Sequence, residues 1–283
     1  MSADAEANPR DGDFELVTLR NGSRAVRHLG HGEVMHPSVG PWKEALGLYV
    51  EQPRLAEKLR QSGPPLVIHD VGLGAATNAV AALTCARELG AERRRPLEVV
   101  SFEVDLAPLR LALADPEGFP FLQPFQEAAQ ALMRDGVWEA DGLRWRLHLG
   151  DAVPFLDGAL PLADLVYFDP FSPASNPDMW TEAVLARVRR HCRVEGEGAL
   201  LLTYSAATPT RVTLLLAGFF VGAGAATGTK GETTVASTRR EALAAPLAER
   251  WLERWKRSSS RAPHGAQLTP ELESRVLAHP QWR

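Results

Sequence analysis

The chain has 283 residues, 45% hydrophobic and 23% charged, which provides for a large core and excludes general disorder. A formal net charge of −4 excludes a protein that coats nucleic acid with its whole surface, while leaving room for a local basic patch. The two cysteines, Cys85 and Cys192, stand far apart without a CxxC pair, so two buried thiols are expected rather than a disulfide scaffold or a zinc site.

Residues 1–13 are acidic and polar and read as a disordered tail. They hold no apolar signal region, and no apolar run approaches the roughly 18 residues that span a bilayer, so a cytosolic protein without membrane contact is expected. FELVTLRNGSRAVRHLG then alternates around Asn21-Gly22, a hairpin signal. A loop rich in Met, His, Gly and Trp follows. It is either a lid, with Met35 and Trp42 closing it, or a loop that packs on the core. From Trp42 the spacing of Ala45, Leu46, Leu48 and Tyr49 predicts a helix that runs on through Leu55 and Leu59.

Pro64 and Pro65 break the chain, and Leu66 to Asp70 reads as the first core strand. Leu97 to Phe102, Leu143 to Leu149, Asp164 to Phe168, Gly198 to Tyr204, Phe219 to Val221 and Thr233 to Ser237 are the further strand candidates. Between them the pattern is helical, notably over 106–138 (broken at Pro116, Gly118, Pro120 and Pro124), from Trp180 to Cys192, and from Arg211 to Ala217. Strands alternating with helices predict an α/β, doubly wound, mostly parallel seven-stranded sheet. The expected layout is a hairpin and lid over 14–62, the sheet domain over 63–240, and a C-terminal region over 241–283. That last region is read as one amphipathic helix, Leu243 to Trp255, then a mobile Ser/Arg/Pro segment.

The strand ends carry the chemistry. HDVGLGAAT, from His69 to Thr77, places an acid, Asp70, and the glycines Gly72 and Gly74 between a strand and a helix that begins near Asn78. Glycines there let the backbone approach a ligand closely. A tight structural turn would use the same residues. Glu103 ends the second strand, Asp151 the third and Asp169 the fourth, so acids and a glycine loop follow one another along the edge where open α/β sheets bind ligands. Asp169 is followed by Phe171, an aromatic beside an acid. Asn176, Pro177 and Asp178 read as the start of a helix. Tyr204 and Ser205 end the fifth strand.

This order resembles the class I S-adenosylmethionine-dependent methyltransferase fold, Rossmann-like in plan. The resemblance implies S-adenosyl-L-methionine as cofactor, with Gly72 and Gly74 cradling its methionine part, flanked by Asp70 and Asn78. Glu103 would hold the ribose, with Asp105 as a rival, and Asp151 with Ala152 would meet the adenine. DPFSPASNPDMW, residues 169–180, is similar to a signature of the methyltransferase part of the MnmC family, which finishes 5-methylaminomethyl-(2-thio)uridine at the tRNA wobble position. TYSAA at 203–207 and GTKGET at 228–233 agree with it, whereas Pro170 and Ala76 depart from the family pattern. By this resemblance Asp169 orients the acceptor amine, also touches the cofactor, and is the candidate base. Phe171 stacks the uracil, Tyr204 adds a catalytic contact, and Met35, Trp42, Ser205 and Lys230 are further substrate contacts. It implies the anticodon region of tRNA as partner and upstream enzymes that make the aminomethyl group. A stand-alone methyltransferase without FAD or metal is expected.

Two basic stretches are candidate RNA contacts or plain solvated helix faces: Arg187, Arg189, Arg190 and His191, and Arg250, Arg254, Lys256, Arg257 and Arg261 with Trp251 and Trp255. An aminopropyltransferase of the spermidine synthase type and a non-catalytic binding module on the same fold are the alternatives. The first would need a second acid in the loop after the fourth strand.

Overall fold

The computed structural model describes residues 8–35, 40–227 and 231–283. Strands β1 (Arg10–Asp11), β2 (Phe14–Thr18) and β3 (Arg24–His28) form a small antiparallel sheet. Asn21 accepts from the Ser23 amide at 3.1 Å, so the expected hairpin turns where the Asn-Gly pair stands. Part of the predicted tail is therefore paired: Arg10 and Asp11 lie opposite Glu15 and Phe14.

The helix predicted from Trp42 through Leu59 is divided. Helix α1 (Pro41–Ala45) widens into a π-turn over Leu46–Glu51, and α2 (Leu55–Arg60) starts afresh after Arg54, which is left-handed at φ 56°. Pro53 has no amide to continue the ladder, which accounts for the restart.

In chain order there follow β4 (Leu66–Val71), α3 (Thr77–Leu89), β5 (Leu97–Glu103), α4 (Ala107–Ala114), α5 (Gln126–Asp135), β6 (Val137–Ala140), β7 (Leu143–Leu149), α6 (Ala152–Phe155) and β8 (Leu165–Phe168). Then come α7 (Glu182–Arg190), β9 (Leu200–Thr203), α8 (Thr208–Leu216), β10 (Phe220–Gly224), β11 (Thr233–Ser237), α9 (Glu249–Lys256) and α10 (Pro270–Leu277). Among the described residues the main sheet has eight strands in the order β10-β11-β9-β8-β4-β5-β7-β6. The central five, β9-β8-β4-β5-β7, are parallel, and both β4 and β8 are buried along their whole length.

The eighth strand is β6. It begins at the end of the stretch expected to be helical and pairs antiparallel with β7 across Asp141 and Gly142, which have φ of 50° and 71°. Asp-Gly between strands is itself a hairpin signal.

Helices cover both faces. The hairpin, α3, α4 and α5 share one core with Tyr167 and Ile68, while α7, α8, α9 and α10 share the other with Phe168 and Val166. Adjacent residues of β8 thus feed opposite cores, as a two-sided strand must. The C-terminal segment is packed rather than mobile. Gln281, 1% exposed, accepts from the Val221 amide at 2.6 Å and donates to the carbonyls of Val221 and Leu247 at 2.6 and 2.9 Å. It pairs with β10, which edges the sheet, and such edges are ordinarily covered.

Candidate active site

The strand order reverses between β4 and β8: β5 and β7 continue on one side of β4, β8 and β9 on the other. Ligands of doubly wound sheets bind outside the carboxyl ends at such a reversal. Here β4 runs into Gly72 and β8 into Asp169. Gly72 has φ +91°, and a Cβ there would lie 2.5 Å from the Asp169 carbonyl oxygen. Only glycine lets the two strand ends meet. Gly74, at φ +52°, would press a Cβ to 3.1 Å from the Met35 sulfur. Ala76 is left-handed at φ 61° without being glycine, so the bend keeps its shape despite that departure.

The glycine bend, the strand ends and Glu33 to Met35 of the loop after β3 line a cavity of about 560 Å3, within the range of roughly 300–1,000 Å3 usual for small-molecule sites. Met35, Gly72, Gly74, Glu103, Asp151, Ala152, Asp169, Phe171 and Tyr204 all line it, as expected. Glu103 accepts from the Gly74 amide at 2.8 Å through one oxygen and from the Val104 and Asp105 amides at 2.7 and 3.2 Å through the other. Burial raises its pKa, and these three amides oppose the rise. Asp105 instead accepts from the Ala107 amide at 2.8 Å at the start of α4, so of the two rivals only Glu103 lines the cavity. Asp151 caps α6 through the Val153 amide at 2.9 Å. Asp169 accepts from the Asn78 side-chain amide at 2.9 Å.

Several expected residues stand elsewhere. Asp70 is fully buried beneath the bend, accepting from Ser101 Oγ at 2.7 Å, and does not reach the cavity. Asn78 lies behind Asp169 rather than in the lining, because α3 packs on the inner side of the sheet. Trp42 stacks on Phe121, with centroids 5.0 Å apart and planes at 10°, in a separate hollow. It packs there and does not line the cavity. Ser205 shares a hydrogen bond with Thr210 at 2.9 Å and is outside the lining. Lys230 lies outside the described residues. Asn176 makes no cap: Pro177–Trp180 is a single 3-10 turn, and α7 is capped by Thr181. Phe171 is wedged among Phe14, His28 and His31, with centroids 6.5, 5.4 and 6.1 Å away.

Sequence reasoning missed Glu33, Glu44 and Asp178. Glu33 accepts from the Ser172 amide and hydroxyl at 3.0 and 2.9 Å and from the Ser175 hydroxyl at 2.5 Å, fastening the loop after β3 to the loop after β8. A lone acid in a loop carries no periodic signal, so only its distant partners reveal it. With these three, six acids line the cavity (Glu33, Glu44, Glu103, Asp151, Asp169 and Asp178), and no Lys, Arg or His does among the described residues. Such a lining suits cationic ligands. A sulfonium with an adenosine arm fits this donor set: a glycine cradle that any Cβ would fill, a carboxylate at the ribose position, and an apolar patch of Leu73, Phe102 and Val104. Among the described residues no group of His, Cys, Asp and Glu is arranged to hold a metal ion, and no helix is long and apolar enough to cross a membrane.

Comparison with known proteins agrees with this geometry. A family model described as S-adenosyl-L-methionine-dependent methyltransferase matches residues 123–239. The chain is similar to the tRNA 5-methylaminomethyl-2-thiouridine biosynthesis bifunctional protein MnmC of Methylibium petroleiphilum, at 30% identity over 78% of this chain and 34% of that one. The MnmC of Ralstonia nicotianae is 40% identical over 42% of this chain and 18% of its own. The chain thus spans about a third or less of the length of these relatives. The crystal structure of MnmC2 from Aquifex aeolicus superimposes with a TM-score of 0.73 at 28% identity, covering 97% of this chain and 86% of that one.

Proposed function

We propose, from the premise that this chain carries an S-adenosylmethionine-dependent methyltransferase domain of the MnmC type, that it methylates the primary amine of 5-aminomethyl-(2-thio)uridine at the tRNA wobble position. The observation that carries the reading is the contact of the Gly72 bend with Asp169, which puts a carboxylate at the join between donor cradle and acceptor loop.

S-adenosyl-L-methionine supplies a methyl group on a sulfonium, which becomes a neutral thioether when a nitrogen lone pair takes the methyl. The residues of the chain do the rest. An alkylamine is mostly protonated near pH 7 and has no lone pair to offer. The acids of the lining bind it as a cation. Asp169 accepts its hydrogens, takes up a proton at the carboxylate, and aims the lone pair along the line to the methyl carbon. Asn78 keeps that carboxylate turned toward the amine. Gly72 and Gly74 hold the methionine part through backbone atoms, Glu103 the ribose hydroxyls, and Asp151 with Ala152 the adenine edge. Phe171 and Tyr204 flank the acceptor, with Met35 closing over Gly74.

For tRNA, Arg250 and Arg254 on the outer face of α9 are the candidate phosphate contacts, together with Lys230. Arg187 and Arg190 are engaged by Asp157, and Trp251 and Trp255 are buried and unable to stack bases. The reaction that supplies the acceptor must leave a primary amine on the uridine C5 methylene.

The presence of Asp178 in the lining favours one second reading, since an aminopropyltransferase needs another acid in this loop. The deciding experiment mixes the protein with S-adenosylmethionine and tRNA bearing the aminomethyl group, then weighs the wobble nucleosides by mass spectrometry. A gain of one methyl group is expected. No gain, with transfer to putrescine from the decarboxylated donor instead, would overturn the proposal.

A further inference from the structure

We propose that Tyr49 is a positioning residue for Asp169: its buried hydroxyl stands behind the acid, outside the cavity, and donates to the carboxylate when the acceptor amine is bound. This rests on the reading of Asp169 given above.

Tyr49 is 0% exposed and sits in the π-turn Leu46–Glu51, the kind of local widening that recurs at functional sites. Its ring packs against Tyr167 with centroids 4.7 Å apart, and its carbonyl oxygen accepts from the Tyr167 hydroxyl at 2.7 Å. Tyr167 lies on β8 two residues before Asp169, whose amide continues the ladder to the Val71 carbonyl just past the strand end, so the two side chains leave the sheet on the same face. On that face Asn78 of α3 donates to one carboxylate oxygen at 2.9 Å. The Tyr49 hydroxyl makes no hydrogen bond of strict geometry, and the side-chain partner within its reach is the Asp169 carboxylate. A buried hydroxyl with so weak a partner stabilises a fold little, and phenylalanine would fill the same space. A structural role alone therefore gives no reason for the oxygen.

The groups around it do. Burial first, then the charges of Asp169, Glu44 and Asp70 and a side-chain hydrogen bond to Asp169, push the Tyr49 pKa well above the usual tyrosine value. The phenol stays protonated and can only donate to its anionic neighbours. Catalytic hydrogen bonds are often long in the free enzyme and tighten in the complex. A small turn of Asp169 toward Tyr49 would bracket the carboxylate between two donors, Asn78 and Tyr49, and fix its angle to the amine.

The test is Tyr49→Phe beside Asp169→Asn. For Tyr49→Phe we expect kcat to fall about tenfold, the loss of one hydrogen bond to a charged group. The donor dissociation constant should stay within about twofold, since the bond is made to the acid and not to the donor. The melting temperature should change little, because the hydroxyl has no native bond of strict geometry. A second measurement needs no acceptor. The chain has three tyrosines, so a spectrum of tyrosine labelled at the ring carbon bearing oxygen is simple, and Tyr49→Phe assigns its signal. Asp169→Asn should move that signal. A wild-type kcat in Tyr49→Phe, or a Tyr49 signal untouched by Asp169→Asn, would overturn the inference alone. Full turnover in Asp169→Asn would overturn the role of Asp169 as well.

Discussion

Two hollows among the described residues invite comparison, and the smaller one is the candidate site. The larger, about 1210 Å3, lies between the hairpin turn, α1 and the Pro120–Phe125 turn, where Arg24, Lys43 and Arg87 face Glu88, Asp115 and Glu117. Its charges are of both signs and partly paired, with Arg24 to Asp115 at 2.9 Å, and its walls are loops and helix flanks. The smaller, about 560 Å3, is walled by the ends of β4, β5, β7 and β8 and gathers acids without a cation among the described residues. Volume does not separate them. What does is like charge held together by strands whose own sides are buried. Convergence of one sign costs stability and is kept where a ligand offsets it.

Removing the acid at the join should break that contrast most sharply. For Asp169→Ala we expect turnover to fall by about 10²–10⁴-fold, the range of a lost general base, with donor affinity changed only severalfold. Steady-state methylation and calorimetric donor titration check it. Equal losses in both would make Asp169 a donor-binding residue instead.

The strand under the site sets the next effect. His69 of β4 is buried with Nε2 against the Pro161 carbonyl at 2.9 Å, and burial lowers its pKa to about 4. The folded pKa is depressed below the usual value near 6.5, so the unfolded chain binds this proton first. Stability from a neutral His69 is complete above about pH 6.5 and is lost as pH falls toward 4, a change on the order of 3 kcal/mol. Urea unfolding across that window should show it, and His69→Gln should flatten the slope. An unchanged slope would clear His69 of the effect.

A pair of glycine substitutions compares the hollows directly. Gly72→Ala brings a Cβ to 2.5 Å from the Asp169 carbonyl oxygen at φ +91°, and should cost roughly 1–3 kcal/mol of stability along with donor binding. Gly22→Ala, at φ +84° with nothing within 4 Å, lines the larger hollow and should cost about 1 kcal/mol with donor binding intact. Equal loss of donor binding in both would refute the assignment of the site.

The sheet and most of the rim were legible because buried parallel strands leave continuous apolar runs, and strand-end acids interrupt them visibly at Glu103, Asp151 and Asp169. What was not legible has physical reasons. Asp70 reads like a rim acid two residues before Gly72, but strand alternation turns it inward to Ser101. Glu33, Glu44 and Asp178 become rim acids only through long-range folding. β6 was hidden because a hairpin edge strand exposed on alternate residues looks polar beside a helix. The C-terminal segment looked mobile because a single side chain, Gln281, does the work of a strand there.

Trp42 supplies the mildest comparison. Its sequence context, beside Met35 in one aromatic loop, reads equally as lid or as packing. The stack on Phe121 and the separation from the cavity favour packing. Trp42→Ala should then cost about 1 kcal/mol through the lost aromatic pair, with a further loss for the half-buried ring area. Turnover and donor affinity should stay near wild type, since Met35 alone of the two approaches the Gly74 bend. Met35→Ala should do the reverse, weakening donor affinity with little effect on melting. If Trp42→Ala instead lowered kcat while stability held, the larger hollow would have to move with the site, and the two regions would be one machine rather than a site and its brace.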